Sequence, residues 1–155
     1  PPPKFNNAIK VKAIQSSDEW EQVIHLQVAC RDLCFEQNGY EVFKRRQFKN
    51  YQAMSEAGLG YWFGAFLGDK LVGDLGIFHQ NQIGRFQNVG THPEFRRQGI
   101  CGTLIYKAAQ IAFCDFDIKI FVMEADADYH AAAIYESVGF CPTEENQSLS
   151  WWIGN

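Results

Sequence analysis

The sequence predicts an α/β (α+β) domain: a mixed, mostly antiparallel twisted sheet flanked by helices, with one central β-α-β unit. Two observations carry this reading. Apolar residues recur at helical spacing through residues 16–57 and switch to strand spacing from Gly60 onward, with turn residues dividing the later stretch. Over residues 84–126 the order becomes strand, helix, strand, joined at its first turn by "RRQGICG".

Each element has its own warrant. "AIKVKAI" alternates with period two and reads as a first strand. In "SSDEWEQVIHLQVACRDL", Ser16 or Ser17 can cap a helix, acids fill its first turn, and Trp20, Val23, Ile24, Gln27 and Val28 form one face. A second helix is expected over about residues 40–57, ended by Gly58, with "KRRQFK" as one solvated face. "GYWFGAFLGDKLVGDLGIFHQNQIGRFQNVGTH" then gives three strands, with turns at Gly68-Asp69 and between Gln80 and Gly84. An antiparallel meander is the natural outcome. "ICGTLIYKAAQIAF" places Ile100, Leu104, Ala108 and Ile111 on one face, with Cys101, Ile105, Ala109 and Ala112 beside them, so this helix should pack on the sheet. "IKIFVMEA" reads as a buried strand, "YHAAAIYESVGF" as a short helix ended by Gly139, and "SLSWWI" as a last strand.

With 155 residues, 46% apolar and 15% aromatic, the chain can form one domain that buries about two-thirds of its unfolded surface. A single domain over residues 1–155 is expected, with residues 1–7 set aside as a disordered or processed end. No window reaches the ~18 apolar residues of a membrane span, and "PPPKFNNAIK" has no apolar core like that of a signal peptide. A soluble, cytoplasmic protein without membrane partners is the expectation. A net charge of −4 argues against a nucleic-acid surface. The five cysteines, Cys30, Cys34, Cys101, Cys114 and Cys141, lack zinc spacing and read as buried reduced thiols, and no metal site is expected.

The helix near Ile100 starts in an unusual way. Arg96, Arg97, Gln98 and Gly99 precede it, and the backbone amides of residues 98–102 fall at its N-terminus, next to Thr103. First-turn amides have no intrahelical acceptor, and the helix dipole adds partial positive charge. The turn is therefore an anion site, where Gly99 allows phosphate oxygens close to the backbone and the arginines contact or steer them. A Walker A loop is excluded because no Lys precedes Thr103, and a dinucleotide fingerprint is excluded because only Gly99 and Gly102 occur. A purely structural glycine turn with two surface arginines is the alternative.

Two stretches read together resemble the GNAT superfamily of N-acyltransferases. "VGTHPEFRRQGICGTLIY" resembles its acyl-CoA motif, Arg/Gln-x-x-Gly-x-Gly/Ala after a strand ending Val-x-x-x-Pro, at Arg96, Gly99 and Cys101, with Val89, Thr91 and Pro93 ahead. "DYHAAAIYESVGF" is similar to the second motif, Asn-x-x-Ala-x-x-x-Tyr-x-x-x-Gly-Phe, at Asp128, Ala131, Tyr135, Gly139 and Phe140. Cys101 and Asp128 depart from the motif: Cys101 is small enough to keep the amide cradle, whereas Asp128 replaces the usual Asn.

The resemblance implies acetyl transfer from acetyl-CoA to a primary amine, of a small molecule in the first instance, by direct attack in a ternary complex. It places acetyl-CoA on Val89, Thr91, Arg96, Arg97, Gln98, Gly99, Ile100, Cys101, Gly102, Thr103, Asp128 and Ala131. A backbone amide near Val89 would hold the oxyanion, and Tyr135 would assist the departing thiolate. The base is not evident, since the fourth strand offers only Arg85, Gln87 and Asn88. If strands three and four turn about Asn81 and Gln82, Asp74 falls across from Val89, and Asp74 becomes a candidate to bind or deprotonate the amine; an exposed or backbone-bonded Asp on an edge face is the alternative. Trp62, with Tyr61 and Phe63, could offer the amine a cation–π surface. An acyl-CoA-binding sensor without turnover and a protein acetyltransferase, acting on lysine or an N-terminus, are the competing readings. A homodimer is compatible with all three.

Overall fold

Ser16 opens the first helix of the computed structural model, which describes residues 1–125 and 131–147. Its hydroxyl accepts the Glu19 amide at 3.2 Å, and the Glu19 carboxylate accepts the Ser16 amide at 3.1 Å, a reciprocal capping box. This starts α1, Ser17–Ala29, which buries the expected Trp20, Val23, Ile24, Gln27 and Val28. The second helix, α2, spans Gln37–Glu56 and begins before the expected Tyr40, because Glu36 caps it by accepting the amides of Asn38 and Gly39 at 2.8 and 2.6 Å.

Five strands form one sheet in the order β1-β2-β3-β4-β5: Lys10–Ala13, Gly60–Leu67, Lys70–Gln80, Ile83–Thr91 and Ile120–Val122. The first four pair antiparallel and β5 lies parallel to β4, so the predicted meander is present. The β3–β4 turn is formed by Asn81 and Gln82, both at positive φ (50° and 66°). Helix α3, Ile100–Asp115, is the crossover between β4 and β5, and α4, Ala131–Ser137, follows.

The sheet separates two cores, as alternation requires. Phe63, Val72, Leu75, Ile77 and Phe86 meet Ile100, Leu104, Ile105, Ala108 and Ala112 of α3 on one face. Trp62, Leu71 and Phe78 meet Trp20, Val23, Leu26 and Phe48 of α1 and α2 on the other.

Four expectations are corrected. The cysteines are not buried as a set, since Cys34, Cys114 and Cys141 are exposed. The strand read from "IKIFVMEA" as buried is a three-residue strand whose Ile120 and Val122 are exposed. "KRRQFK" is not one solvated face, since Lys44 and Phe48 are buried. Residues 1–7, set aside above, lie in place along α3, where the Phe5 ring meets Tyr106 edge-on at 6.3 Å and Lys107 Nζ stands 5.3 Å from its centroid. The strand expected from "SLSWWI" and the motif position Asp128 lie outside the described residues.

Candidate functional site

The fourth strand is where the sheet opens. It pairs with β5 only through Ile83, Gly84 and Arg85, while continuing to pair with β3 as far as Thr91. Among the described residues, the second half of β4 therefore has no strand neighbour on the β5 side. The register with β3 also slips there. Gly76 faces Gln87 but Asp74 faces Gly90, so β4 carries one extra residue, a β-bulge, with Asn88 at φ 43°. This bulge corrects the expectation that Asp74 lies across from Val89.

Asp74 is also neither exposed nor on an edge face. It is fully buried, with Trp62 Nε1 donating to Oδ2 at 3.0 Å and Gln27 Nε2 donating to Oδ1 and Oδ2 at 2.9 and 3.0 Å. Burial pushes its carboxyl up to about 7, against the opposing pull of the two donors and of the Lys44 charge. A side chain at Gly90 would put its Cβ 2.8 Å from Asp74 Oδ1, so only glycine fits opposite this carboxyl. Trp62 is fully buried against Phe48, Tyr51 and Phe78, which removes its ring from reach of an amine; the cation–π expectation for Trp62 is corrected on that ground.

The bulge is tied down from both helices. Gln27 Nε2 also donates to the carbonyl of Asn88 at 3.1 Å, while Asn88 Nδ2 donates to Gln47 Oε1 at 3.3 Å. The same Gln47 oxygen accepts Lys44 Nζ at 3.0 Å. Gln27, Lys44 and Gln47 were not singled out in the sequence as site residues. The available signal was the line of Tyr40, Lys44 and Phe48 at i, i+4 spacing, which puts the lysine on an aromatic, core-facing stripe.

Downstream of the bulge, Thr91 ends β4. Its carbonyl accepts both Arg96 Nε at 3.2 Å and the Cys30 thiol at 3.3 Å, so Arg96 braces the turn from within. Arg97 (φ 62°) and Gly99 (φ 76°) both take left-handed backbone conformations, and Gly99 caps α3 with no side-chain cap hydrogen bond. The first-turn amides of α3 thus lack a side-chain acceptor, as the anion-site reading requires. Ile100 and Thr103 are buried beneath the turn, and burial pushes the Cys101 thiol up to about 11. Tyr135 stands on α4 against the α3 core, its ring 6.5 Å from that of Phe140. Ala131 opens the same helix.

The chain's own first residues lie on this turn. Lys4 Nζ donates to the Arg97 carbonyl, Asn6 Nδ2 donates to the Gln98 carbonyl at 2.8 Å, and the Asn6 amide donates to Thr103 Oγ1 at 2.8 Å. The Lys4 carbonyl oxygen is 2.5 Å from where a Cβ on Gly99 would stand, and Pro2 is the nearest neighbour of a Cβ on Gly102.

Comparison with known proteins supplies the wider context for this geometry. The profile of the acetyltransferase (GNAT) family matches residues 20–140. Among solved structures, a transcriptional regulator from Bacillus halodurans C-125 superposes with a TM-score of 0.71 at 19% identity, covering 92% of this chain and 99% of that one. The aminoglycoside antibiotic 6'-N-acetyltransferase AAC(6')-IG from Acinetobacter haemolyticus gives 0.68 at 17% identity, covering 94% and 99%. AAC(6')-Iy, solved with the bisubstrate analog CoA-S-monomethyl-acetylneamine, gives 0.71 at 11% identity, also covering 94% and 99%. No curated protein sequence matches the chain.

Proposed function

The chain belongs to the acetyltransferase (GNAT) family, and from that premise we propose that it transfers an acetyl group from acetyl-CoA to a primary amine of a small molecule, by direct attack within a ternary complex. The observation that carries this reading is the pairing of two features at one end of the sheet: the uncapped α3 turn at Gly99 and the bulge of β4 where β5 diverges.

In this reading the first-turn amides of α3, from Gln98 to Gly102, hold the pyrophosphate, with Arg97 exposed beside them and Arg96 holding the turn's shape. Acetyl-CoA, when bound, supplies the activated thioester. The Val89 amide on the bulge is the donor assigned to the carbonyl oxygen, and the Tyr135 hydroxyl the group assigned to the leaving sulfur. An alkylamine with pKa ~10.4 is almost wholly protonated at pH 7, so a proton has to be lost before attack. Residues 87–90 provide no carboxylate or imidazole, and the Asp74 carboxyl behind them is engaged by Gln27 and Trp62. Asp74 is therefore reassigned from base to anchor of the bulge, and the amine loses its proton to water.

A second reading, an acyl-CoA-binding module without turnover, is favoured by one observation: residues 2–6 already lie on the turn. One experiment separates the two. Thiol release from acetyl-CoA is followed across a panel of amines, beside calorimetric binding of CoA to the native protein and to Gly99→Val. Transfer to at least one amine, with CoA affinity lost in a folded Gly99→Val protein, supports the enzyme. CoA binding without thiol release supports the binding module, and unchanged CoA affinity in Gly99→Val removes the cradle from both.

A further inference from the structure

Lys44 and Asn88 are joined through a single oxygen atom. Gln47 Oε1 accepts Lys44 Nζ at 3.0 Å and Asn88 Nδ2 at 3.3 Å. Lys44 is buried, and its ammonium stands 5.5, 5.9 and 5.8 Å from the ring centroids of Tyr40, Phe43 and Phe48. Burial pushes the pKa of this ammonium down, while the Asp74 charge and the ring faces favour the charged form.

An ammonium donates and cannot accept, so it decides which end of the Gln47 amide faces inward. Only the oxygen end can meet Lys44. The same oxygen then calls for a donor from Asn88, which turns the Asn88 amide so that Nδ2 faces Gln47 and Oδ1 faces away. The buried cation thus sets, through one intermediate, the polarity of a side chain whose two ends have nearly the same shape.

What remains on Asn88 is one acceptor. Its backbone carbonyl accepts Gln27 Nε2 at 3.1 Å, and its Nδ2 is held by Gln47. Asn88 Oδ1 accepts no hydrogen bond among the described residues and is open to solvent. The residue stands at the β4 bulge with φ 43°, a left-handed conformation that Asn takes more readily than most side chains do, directly before Val89. By this point β4 has parted from β5, so the oxygen lies where the sheet opens.

Resting on the acetyl-transfer reading, we propose that Asn88 Oδ1 holds an N–H of the acceptor amine, and that Gln47 and Lys44 are positioning residues that aim this oxygen. A neutral acceptor suits the proton balance. A carboxylate in its place would hold the amine as its ammonium ion, whereas an amide oxygen takes an N–H of the neutral amine and leaves the nitrogen lone pair to the acyl carbon. The hydrogen bond strengthens as the nitrogen gains positive charge in forming the C–N bond. Asn88 takes no proton: the one that the nitrogen sheds on becoming an amide goes to water, and the C–S bond breaks with its electron pair on sulfur.

The test uses Asn88→Gly, which suits the left-handed backbone and removes the oxygen. Thiol release from acetyl-CoA is measured across a panel of primary amines, and calorimetry measures binding of CoA, and of the same amines with CoA present. For the best acceptor, kcat/KM is expected to fall roughly ten- to a hundredfold, the range that one hydrogen bond to a charged group supplies, with most of the loss in kcat and CoA affinity unchanged. Gln47→Met should give part of that loss, Gln47→Glu should recover most of it, and Gln47→Met added to Asn88→Gly should cost nothing more. Asn88→Asp should lower KM and move the rise of kcat with pH upward, because a carboxylate stabilises the bound ammonium ion, a change that a purely structural role would not produce. An unchanged kcat/KM in Asn88→Gly, a loss carried by CoA affinity instead, or an Asn88→Asp profile that stays in place overturns the proposal and leaves the transfer reading standing. Amine binding that is lost in Asn88→Gly, without thiol release from any amine by the native protein, sustains the contact and refutes the transfer reading. Without thiol release, amine binding that is absent or that survives in Asn88→Gly refutes both.

Discussion

Gln27 and Asp74 form a joint behind the β4 bulge: the amide nitrogen of Gln27 reaches both carboxylate oxygens, at 2.9 and 3.0 Å, and also the Asn88 carbonyl at 3.1 Å. One hydrogen of this amide thus serves the buried acid and the other the bulge. Helix α1 is coupled through it to the backbone that the transfer reading assigns to the acyl group.

Removing this link should be felt in both stability and rate. Gln27→Met keeps the volume but leaves Asp74 with Trp62 as its one remaining donor among the described residues, and it leaves the Asn88 carbonyl without the Gln27 amide. A buried group that loses its partner costs about 1–3 kcal/mol. Urea unfolding should show that loss, and kcat should fall further than KM rises, because the bulge and not the cofactor turn is released. Unchanged kcat in a destabilised protein would make Gln27 a packing residue only.

Asp74 should tilt stability with pH. Its carboxyl is raised from 3.8 to about 7 in the folded protein, so the folded state holds a proton that the unfolded state has already lost between those values. The folded state binds more protons in this window, and stability therefore falls as pH rises from about 4 to 7, then levels off. Melting temperature measured across the window should decline more steeply for the native protein than for Asp74→Asn. Equal slopes would place the titration elsewhere.

The element order was legible because it depends on local chemistry. The Ser16–Glu19 capping box, the paired positive-φ turn at Asn81 and Gln82, and the left-handed Gly139 after α4 are each written in a few adjacent residues. The strand pairing followed from that turn for as long as the ladder ran unbroken, from Gln80–Ile83 to Gly76–Gln87. What could not be read was the bulge at Asn88, because no pattern of residue types marks an extra residue in a strand that alternates normally on both sides. The burial of Lys44 was hidden for a related reason. A charge run usually lies in water, and only the tertiary placement of α2 over Trp20 and Trp62 turns one of its lysines inward. The glycine turn that opens α3 was legible, with Gly99 left-handed and no side chain capping the helix, but the segment that lies on it was not, since contacts over some ninety residues of separation leave no local trace.

That segment should compete with acetyl-CoA. A phosphate approaching the amides next to Gly99 meets the Lys4 carbonyl, so residues 2–6 have to move aside. Asn6→Ala removes the 2.8 Å bond to the Gln98 carbonyl and the 2.9 Å bond that turns the chain at Ala8. Acetyl-CoA affinity, measured by calorimetry, should then tighten by roughly three- to tenfold, the equivalent of one ordinary hydrogen bond no longer to be broken. Weaker affinity would mean that the segment helps to hold the cofactor.

Cys101 should behave as a packing residue. Its thiol is pushed up to about 11 by burial, so almost no thiolate is present at neutral pH, and direct attack by the amine needs no acyl-enzyme. Iodoacetamide at pH 7.5 should label the exposed Cys34, Cys114 and Cys141 and spare Cys101 until the protein is unfolded. Cys101→Ala should keep most of its activity, whereas an acetyl group trapped on Cys101 during turnover would overturn direct attack.

Tyr135 gives the clearest distinction between transfer and mere binding. It sits on α4 against the core that carries α3, and its carbonyl accepts the amides of Val138 and Phe140, both at 3.1 Å, so the backbone that presents it is fixed by the end of its helix. Removing only the hydroxyl, as in Tyr135→Phe, leaves that packing in place. If the hydroxyl donates to the leaving thiolate, whose pKa is near ~8.5 against ~10 for the phenol, its value lies in the step where the sulfur gains charge. The rate kcat should then drop by roughly ten- to a thousandfold, with acetyl-CoA and amine affinities barely changed. Steady-state kinetics with a separate calorimetric measurement of CoA binding resolves the two effects. A kcat equal to that of the native protein would assign Tyr135 to packing, and a loss confined to CoA affinity would make it a binding residue with no part in thiolate departure.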